Sequence, residues 1–258
     1  MSRKHALLTM ETTSFDQNYR PGAAETAGYE MRMEVSQMAW TPLPEKVKLR
    51  FETPQPHPMM LKTERTALVI VDMQNLFCNR NPESRSNAVI EGNVRLLEKA
   101  RKAGVKVIFI QSTRTPDALE FTKYGKEPML LEGTWEWEIV KELAPLPDEI
   151  VMRKYSHDPF ARTELDEILI REEIVPTDTT IIVTGVSASV CANAACLGFS
   201  NRHYMTIIPM DCQASSSVEE EAMIFAKYHE NSYAFTLSTM VEFTSGGMTT
   251  RQLVEALA

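Results

Sequence analysis

Apolar positions along the chain fall into short runs separated by longer stretches of helical pattern. Thr66–Val71, TALVIV, is an unbroken run of the length and composition of a strand buried on both faces. Val105–Ile110, Glu149–Met152, Thr180–Val183, Tyr204–Pro209 and Tyr233–Leu237 read as five further strands. Between them, Asn87–Ala103 sets Val89, Val94, Leu96, Leu97 and Ala100 on one helical face and stops at Gly104. Glu164–Arg171, Ala192–Ser200, Val218–Glu230 and Thr249–Leu257 predict more helices. Thr163 with Asp166 is close to a capping box, and Ser215-Ser216-Ser217 caps the helix at Val218. Six strands alternating with helices predict an α/β fold: a Rossmann-like, three-layer αβα arrangement, doubly wound around a mainly parallel six-stranded sheet.

Two stretches carry no such pattern. Residues 1–63 are rich in Met, Pro, Thr and Glu and lack the apolar periodicity for a core of their own. They are expected to be an extension or arm on a domain of residues 64–258, either a partly ordered arm or one that wraps a neighbouring subunit with Met31, Met33, Met38 and Trp40 as apolar contacts. Gln111–Gly133 follows the second strand and has the length of a substrate loop.

Charge and cysteine usage narrow the classes. A net charge of −8 argues against a nucleic-acid surface. No apolar run approaches membrane-spanning length, and the first residues are too weakly apolar for a secretory leader. The four cysteines, Cys78, Cys191, Cys196 and Cys212, show neither metal-type spacing nor a disulfide framework, so a cytoplasmic compartment is expected. With 10 glycines and no G-x-G-x-x-G or P-loop pattern, no nucleotide cofactor is indicated.

Three separated residues carry candidate chemistry. Asp72 closes the first apolar strand, where its plainer role is a cap and its functional one a general base at the carboxyl edge of a parallel sheet. Lys154 follows a later strand; it is either a surface lysine or a fixed cation facing that edge. Cys191 opens a helix, where unpaired N–H groups and the helix dipole favour a thiolate; the commoner role of a lone cysteine is core packing, which is the reading for Cys196. A base, a cation and a nucleophile make a plausible set. Trp135 and Trp137 read first as packing aromatics, with one of them as a candidate pocket wall, and His157 reads as a surface residue or one lying behind the site.

TALVIVDMQNLF, GTWEWEIVKELAP leading into VMRKYSHDPFARTELDEIL, VTGVSASVCANAACLGFSNRHY and MDCQASSSVEEEA together resemble the isochorismatase-like cysteine hydrolases, over about Thr66 to Phe243. The resemblance implies Asp72 as catalytic acid–base, Lys154 as the lysine and Cys191 as nucleophile. It also implies a cis peptide joining Val186 and Ser187, and an oxyanion hole from the backbone N–H groups of Ser187 and Cys191. Gln74 and Phe77 match positions that border the substrate. The chain departs from the family in two places. QSTRTPDALEF has no histidine where nicotinamidases carry a metal cluster, so no metal is expected, and the turn before the cysteine is Ser187-Ala188-Ser189 rather than an A-T-D type.

The implied activity is hydrolysis of a C–N bond in a small amide, carbamoyl or ureido substrate through a thioester. Asp72 would serve in both half-reactions and Arg114 would hold a substrate carboxylate, although a solvated loop arginine is the plainer reading. The implied partners are a small-molecule substrate and a second or further copies of the chain, as a homodimer or homotetramer. The alternatives are a vinyl-ether hydrolase with Cys191 as bystander, an idle member serving binding or assembly, and a flavodoxin-like binding module.

Overall fold

The computed structural model describes residues 59–230, 235–238 and 241–244. The helix expected at Thr249–Leu257 and the arm residues Met31, Met33, Met38 and Trp40 lie outside the described residues. Along the chain run β1 (Met59–Lys62), β2 (Thr66–Val71), α1 (Asn75–Cys78), α2 (Arg85–Ala88), α3 (Ile90–Ala103), β3 (Lys106–Ser112), α4 (Leu119–Thr122), β4 (Ile150–Lys154), α5 (Leu165–Arg171), β5 (Thr180–Val186), α6 (Cys191–Asn201), β6 (Met205–Pro209), β7 (Gln213–Ala214), α7 (Val218–Glu230), β8 (Phe235–Ser238) and β9 (Val241–Thr244).

The main sheet has the strand order β4-β3-β2-β5-β6-β8 and is parallel throughout, with β7 pairing the end of β5. This is the doubly wound sheet the alternation predicts. Every residue of β2 is buried, because helices cover both faces. Ala67, Val69 and Val71 join a cluster with Leu165, Ile168, Phe199 and Phe225 from α5, α6 and α7. Leu68 and Ile70, one residue out of phase, join Leu96, Leu97 and Ala100 of α3. The strand order reverses between β2 and β5, and a reversal of this kind leaves, outside the carboxyl ends of the strands, the crevice where such folds hold ligands.

Local rules account for the boundaries. Gly104 ends α3 in the left-handed conformation (φ 78°). Ser217 Oγ accepts from Glu220 N–H at the start of α7, whose first turn carries Glu219, Glu220 and Glu221 toward the positive end of the helix. Thr163 Oγ1 accepts from Leu165 N–H at 3.3 Å. Asp166, expected to complete that cap, instead forms a two-pronged ion pair with Arg202 at 2.6 and 2.7 Å.

The strands at the site outrun their sequence boundaries. β3 continues through Ser112 because Gln111 and Ser112 pair with Arg153 and Lys154 of β4. β5 continues through Thr184-Gly185 to Val186 because β2 lies on one side and β7 on the other. Asp211 sits in a single 3-10 turn, Met210–Cys212, directly after β6. Met59–Lys62, placed with the extension in the sequence, forms β1 and pairs with β9. A second compact unit includes Thr115–Pro128, in which α4 is one turn closed by Thr122 Oγ1 on Ala118 O. Among the described residues no helix is long and apolar enough to cross a membrane.

Gly185 makes the switch point possible. It lies opposite Val71 with φ 102°, and a Cβ there would stand 1.9 Å from the Val71 carbonyl oxygen. Gly185→Ala is therefore expected to destabilise the fold by more than about 4 kcal/mol. Loss of the cooperative urea transition, or insolubility, is the expected readout; an unchanged midpoint would contradict the close approach.

Two buried thiols set a pH limit. Burial pushes Cys196 up to about 12 from its ordinary 9.0, and burial with the charge of Asp72 does the same to Cys78. Above pH 9 the unfolded chain releases these protons while the folded chain keeps them, so stability present below pH 9 is lost as the pH climbs toward 12. The melting temperature followed by circular dichroism should fall between about pH 9 and 11, and Cys196→Ala should flatten that fall.

Candidate active site

Three carboxyl-end positions converge above the switch point. Asp72 follows β2 directly and adopts φ 53°, with its N–H bound to Ile110 O at 2.8 Å. Lys154 is the last residue of β4, and Cys191 is the first of α6, after the turn that leaves β5. Asp72 is 1% exposed and Lys154 not at all, so neither charge is solvated. They compensate each other: Lys154 Nζ lies 2.8 Å from Asp72 Oδ2. The ammonium also donates to Ser112 Oγ at 2.7 Å, to Ser156 O at 3.1 Å and to Cys191 Sγ at 3.3 Å. Asp72 Oδ1 accepts the Ser112 N–H at 3.0 Å.

The sulfur feels opposing influences. Burial first, and then the Asp72 carboxylate, push the Cys191 thiol up to about 12, while Lys154 pulls the other way. The helix dipole alone suggested a readily ionised thiol; in its buried setting beside a carboxylate the resting group is the neutral thiol. His157 adds a contact that the sequence did not point to. Its Nδ1 stands 3.4 Å from Cys191 Sγ, although the residue itself is exposed. Ser112 was missed as well; the signal for it is its place at the carboxyl end of the neighbouring strand.

The turn ahead of the nucleophile is tightly bonded. The Val186–Ser187 peptide is cis, as the resemblance implies. Ser187 O accepts from Val190 and Ala192 N–H, Ala188 N–H donates to Ala214 O, and Ser189 N–H donates to Ser215 Oγ. Cys191 N–H, at the first position of α6, is among the donors a helix leaves without an internal partner. Ser187 Oγ lies 3.0 Å from both Ser189 Oγ and Ser215 Oγ, so the S-A-S turn brings three hydroxyls together beside the nucleophile.

The side chains expected to border the substrate make contacts within the protein. Gln74 is fully buried; its amide donates to Ser112 O and Trp137 O and accepts from Ser112 N–H, which ties β3 to the returning 133–140 segment. That use of the side chain leaves it as a brace for Ser112 and hence for Asp72. Phe77 packs on the apolar cluster beneath α3. Arg114 Nη1 donates to Thr113 O, and its backbone N–H binds Leu130 O. Trp135 is 53% exposed and its carbonyl accepts from Asn75 Nδ2, whereas Trp137 donates from Nε1 to Thr113 Oγ1 and carries Arg153 over its ring. Among the described residues no group of three or more His, Cys, Asp or Glu side chains is arranged to hold a metal ion.

The isochorismatase domain profile matches residues 66–239, about two thirds of the chain. The chain belongs to the isochorismatase family. Among its relatives, the ureidoacrylate amidohydrolase RutB of Methylorubrum extorquens is 27% identical over 184 residues, covering 61% of this chain and 73% of that one. The RutB of Pseudomonas syringae pv. syringae is 26% identical over 217 residues, covering 73% and 87%. Of solved structures, the N-carbamoylsarcosine amidase of Thermoplasma acidophilum superposes with a TM-score of 0.58 at 23% identity, covering 67% of this chain and 95% of that one. The nicotinamidase PncA of Bacillus subtilis gives 0.59 at 19%, covering 67% and 99%. Both share the fold. The family match spans Asp72, Lys154 and Cys191 and begins after the N-terminal extension, residues 1–63.

In this isochorismatase-family site burial and the Asp72 charge together hold the proton on the Cys191 thiol. Asp72→Asn keeps the shape and removes the charge, so burial alone opposes the pull of Lys154. Alkylation of Cys191 by iodoacetamide at pH 8 is expected to quicken at least about tenfold, the equivalent of one pKa unit. An unchanged or slower rate would contradict this balance of charges.

Proposed function

We propose that the protein is a cysteine-dependent amidohydrolase cleaving the C–N bond of a small amide, carbamoyl or ureido substrate through a thioester. The observation that carries this reading is the buried Asp72–Lys154 pair set directly against Cys191 Sγ. The relatives named ureidoacrylate amidohydrolase, and the fold shared with an N-carbamoylsarcosine amidase, support the substrate class.

The cycle begins with a neutral thiol. Asp72 takes the Cys191 proton as the sulfur attacks the carbonyl carbon, so thiolate character develops only with the new bond. Lys154, close to both groups, stabilises the sulfur as its charge grows while still holding the carboxyl. The N–H groups of Ser187 and Cys191 receive the oxyanion. Protonated Asp72 then gives its proton to the leaving nitrogen, the C–N bond breaks and an amine or ammonia departs. Water hydrolyses the thioester and restores the thiol.

Ammonia release from a panel of ureido acids, carbamoyl amino acids and simple amides tests the reading with wild type and Cys191→Ala side by side. Release from at least one carbamoyl or ureido compound is expected, falling by about 10⁴-fold or more in the variant. Equal activity in the variant would rule out the thioester route and favour a reaction in which Asp72 acts without the sulfur.

A further inference from the structure

The cycle leaves one buried carboxylate without a role. Of the three acids in the first turn of α7, Glu219 is exposed, and Glu220 is half-buried and accepts from Ser216 N–H at 3.1 Å. Glu221 is 6% exposed, so its carboxylate is nearly out of water. Such a group is costly to bury unless its oxygens are met. Arg85 of α2 meets both, with Nε donating to Oε1 at 3.0 Å and Nη2 donating to Oε2. Oε1 also accepts Ser215 N–H at 3.1 Å.

Ser215 connects that carboxylate to the turn ahead of the nucleophile. Its Oγ accepts Ser189 N–H at 3.0 Å and lies 3.0 Å from Ser187 Oγ. One residue earlier, Ala214 O accepts Ala188 N–H at 2.7 Å. Residues 214 and 215 therefore hold every residue of the 187–189 turn. The ladder of β7 on β5 ends at Ala214, so sheet pairing does not fix Ser215. Its main chain is held instead by Glu221, and Glu221 by Arg85.

We propose that Glu221, braced by Arg85, is a positioning residue for the oxyanion hole: through Ser215 it fixes the turn that aims the Ser187 and Cys191 N–H groups at the developing oxyanion. This rests on the thioester reading above. An oxyanion donor acts on the oxygen as the carbonyl carbon becomes tetrahedral, so a turn displaced by about 1 Å slows that step. The contribution of Glu221 therefore falls on reactions of Cys191 that generate an oxyanion. A displacement at a saturated carbon uses the same sulfur and releases the same proton, but no oxygen gains charge, and Glu221 has no part in it.

Two reagents separate these cases. p-Nitrophenyl acetate acylates the sulfur through a tetrahedral oxyanion, whereas iodoacetamide alkylates it by displacement of iodide from a saturated carbon. Intact-protein mass spectrometry reads both rates in the wild type, Glu221→Gln, Glu221→Ala and Ser215→Ala, with Cys191→Ala as the control for the site of reaction. Glutamine still offers an oxygen to Ser215 N–H, and alanine offers none. Ser215→Ala removes the hydroxyl that grips the turn and keeps the buried ion pair, so it decides the matter if Glu221→Ala does not fold. Acylation is expected to fall about 10- to 100-fold in Glu221→Ala and Ser215→Ala, and less than about threefold in Glu221→Gln, with alkylation within about twofold of the wild type in all three. A parallel fall of both rates, or wild-type acylation in Glu221→Ala and Ser215→Ala, would overturn the role of Glu221 and leave the thioester reading standing. Failure of wild-type Cys191 to acylate while it still alkylates would overturn both.

Discussion

The buried ion pair between Asp72 and Lys154 is the constraint around which the carboxyl end of the sheet is built. Two unsolvated charges cost several kcal/mol each unless their remaining donors and acceptors are met. Here they are met by neighbouring backbone and hydroxyl groups: Ser112 supplies an N–H to the carboxylate and a hydroxyl to the ammonium, and Ser156 supplies a carbonyl. Ser112 must then be held, and the Gln74 amide grips it on both its N–H and its carbonyl. The extra length of β3 follows from the same need, because pairing Ser112 with Lys154 fixes the register in which the lysine reaches the aspartate.

The nucleophile is brought to this pair by backbone geometry. Close pairing of β5 with β2 requires Gly185 opposite Val71, one residue before Asp72. The cis peptide and the bonded turn after it carry the chain from the last pair of that ladder to Cys191. A sheet that reverses its strand order at this point provides the open end, and the residues on either side of the reversal provide the reactive groups.

Much of this was legible in the sequence, for identifiable reasons. TALVIV matches β2 residue for residue, since an unbroken apolar run of that length between polar flanks has few other solutions. α7 begins at Val218 as expected because three serines precede it and one of them caps it. Asp72 and Lys154 stood out because each follows a strand end, and Cys191 because it opens a helix. What was not legible depended on partners distant in sequence. Thr184-Gly185 looks like a strand end until β7 is known to lie beside it. The bonds of the Gln74 amide to the Ser112 and Trp137 backbones join residues far apart in the sequence. His157 belongs to no periodic pattern, and its approach to the sulfur follows from where the Lys154 ammonium anchors its loop.

The neutral resting thiol also bears on how such a site manages charge. A preformed thiolate beside Asp72 would be cut off from water and would place two negative charges against a single ammonium, and burial first and then the Asp72 charge raise the thiol. Under the proposed chemistry the proton moves from sulfur to carboxylate during attack and the negative charge passes through the sulfur to the substrate oxygen, so the sum over Asp72, Lys154, Cys191 and that oxygen stays at zero. The ammonium then holds the carboxylate first and the sulfur as its charge grows, while the N–H groups of Ser187 and Cys191 receive the oxyanion. The same proton is in position when the leaving nitrogen needs it, which matters because an amine leaves an amide carbon poorly unless it is protonated. Under the proposed chemistry, a thiol that is hard to ionise at rest suits a site whose substrate must receive the thiol's proton before it can break.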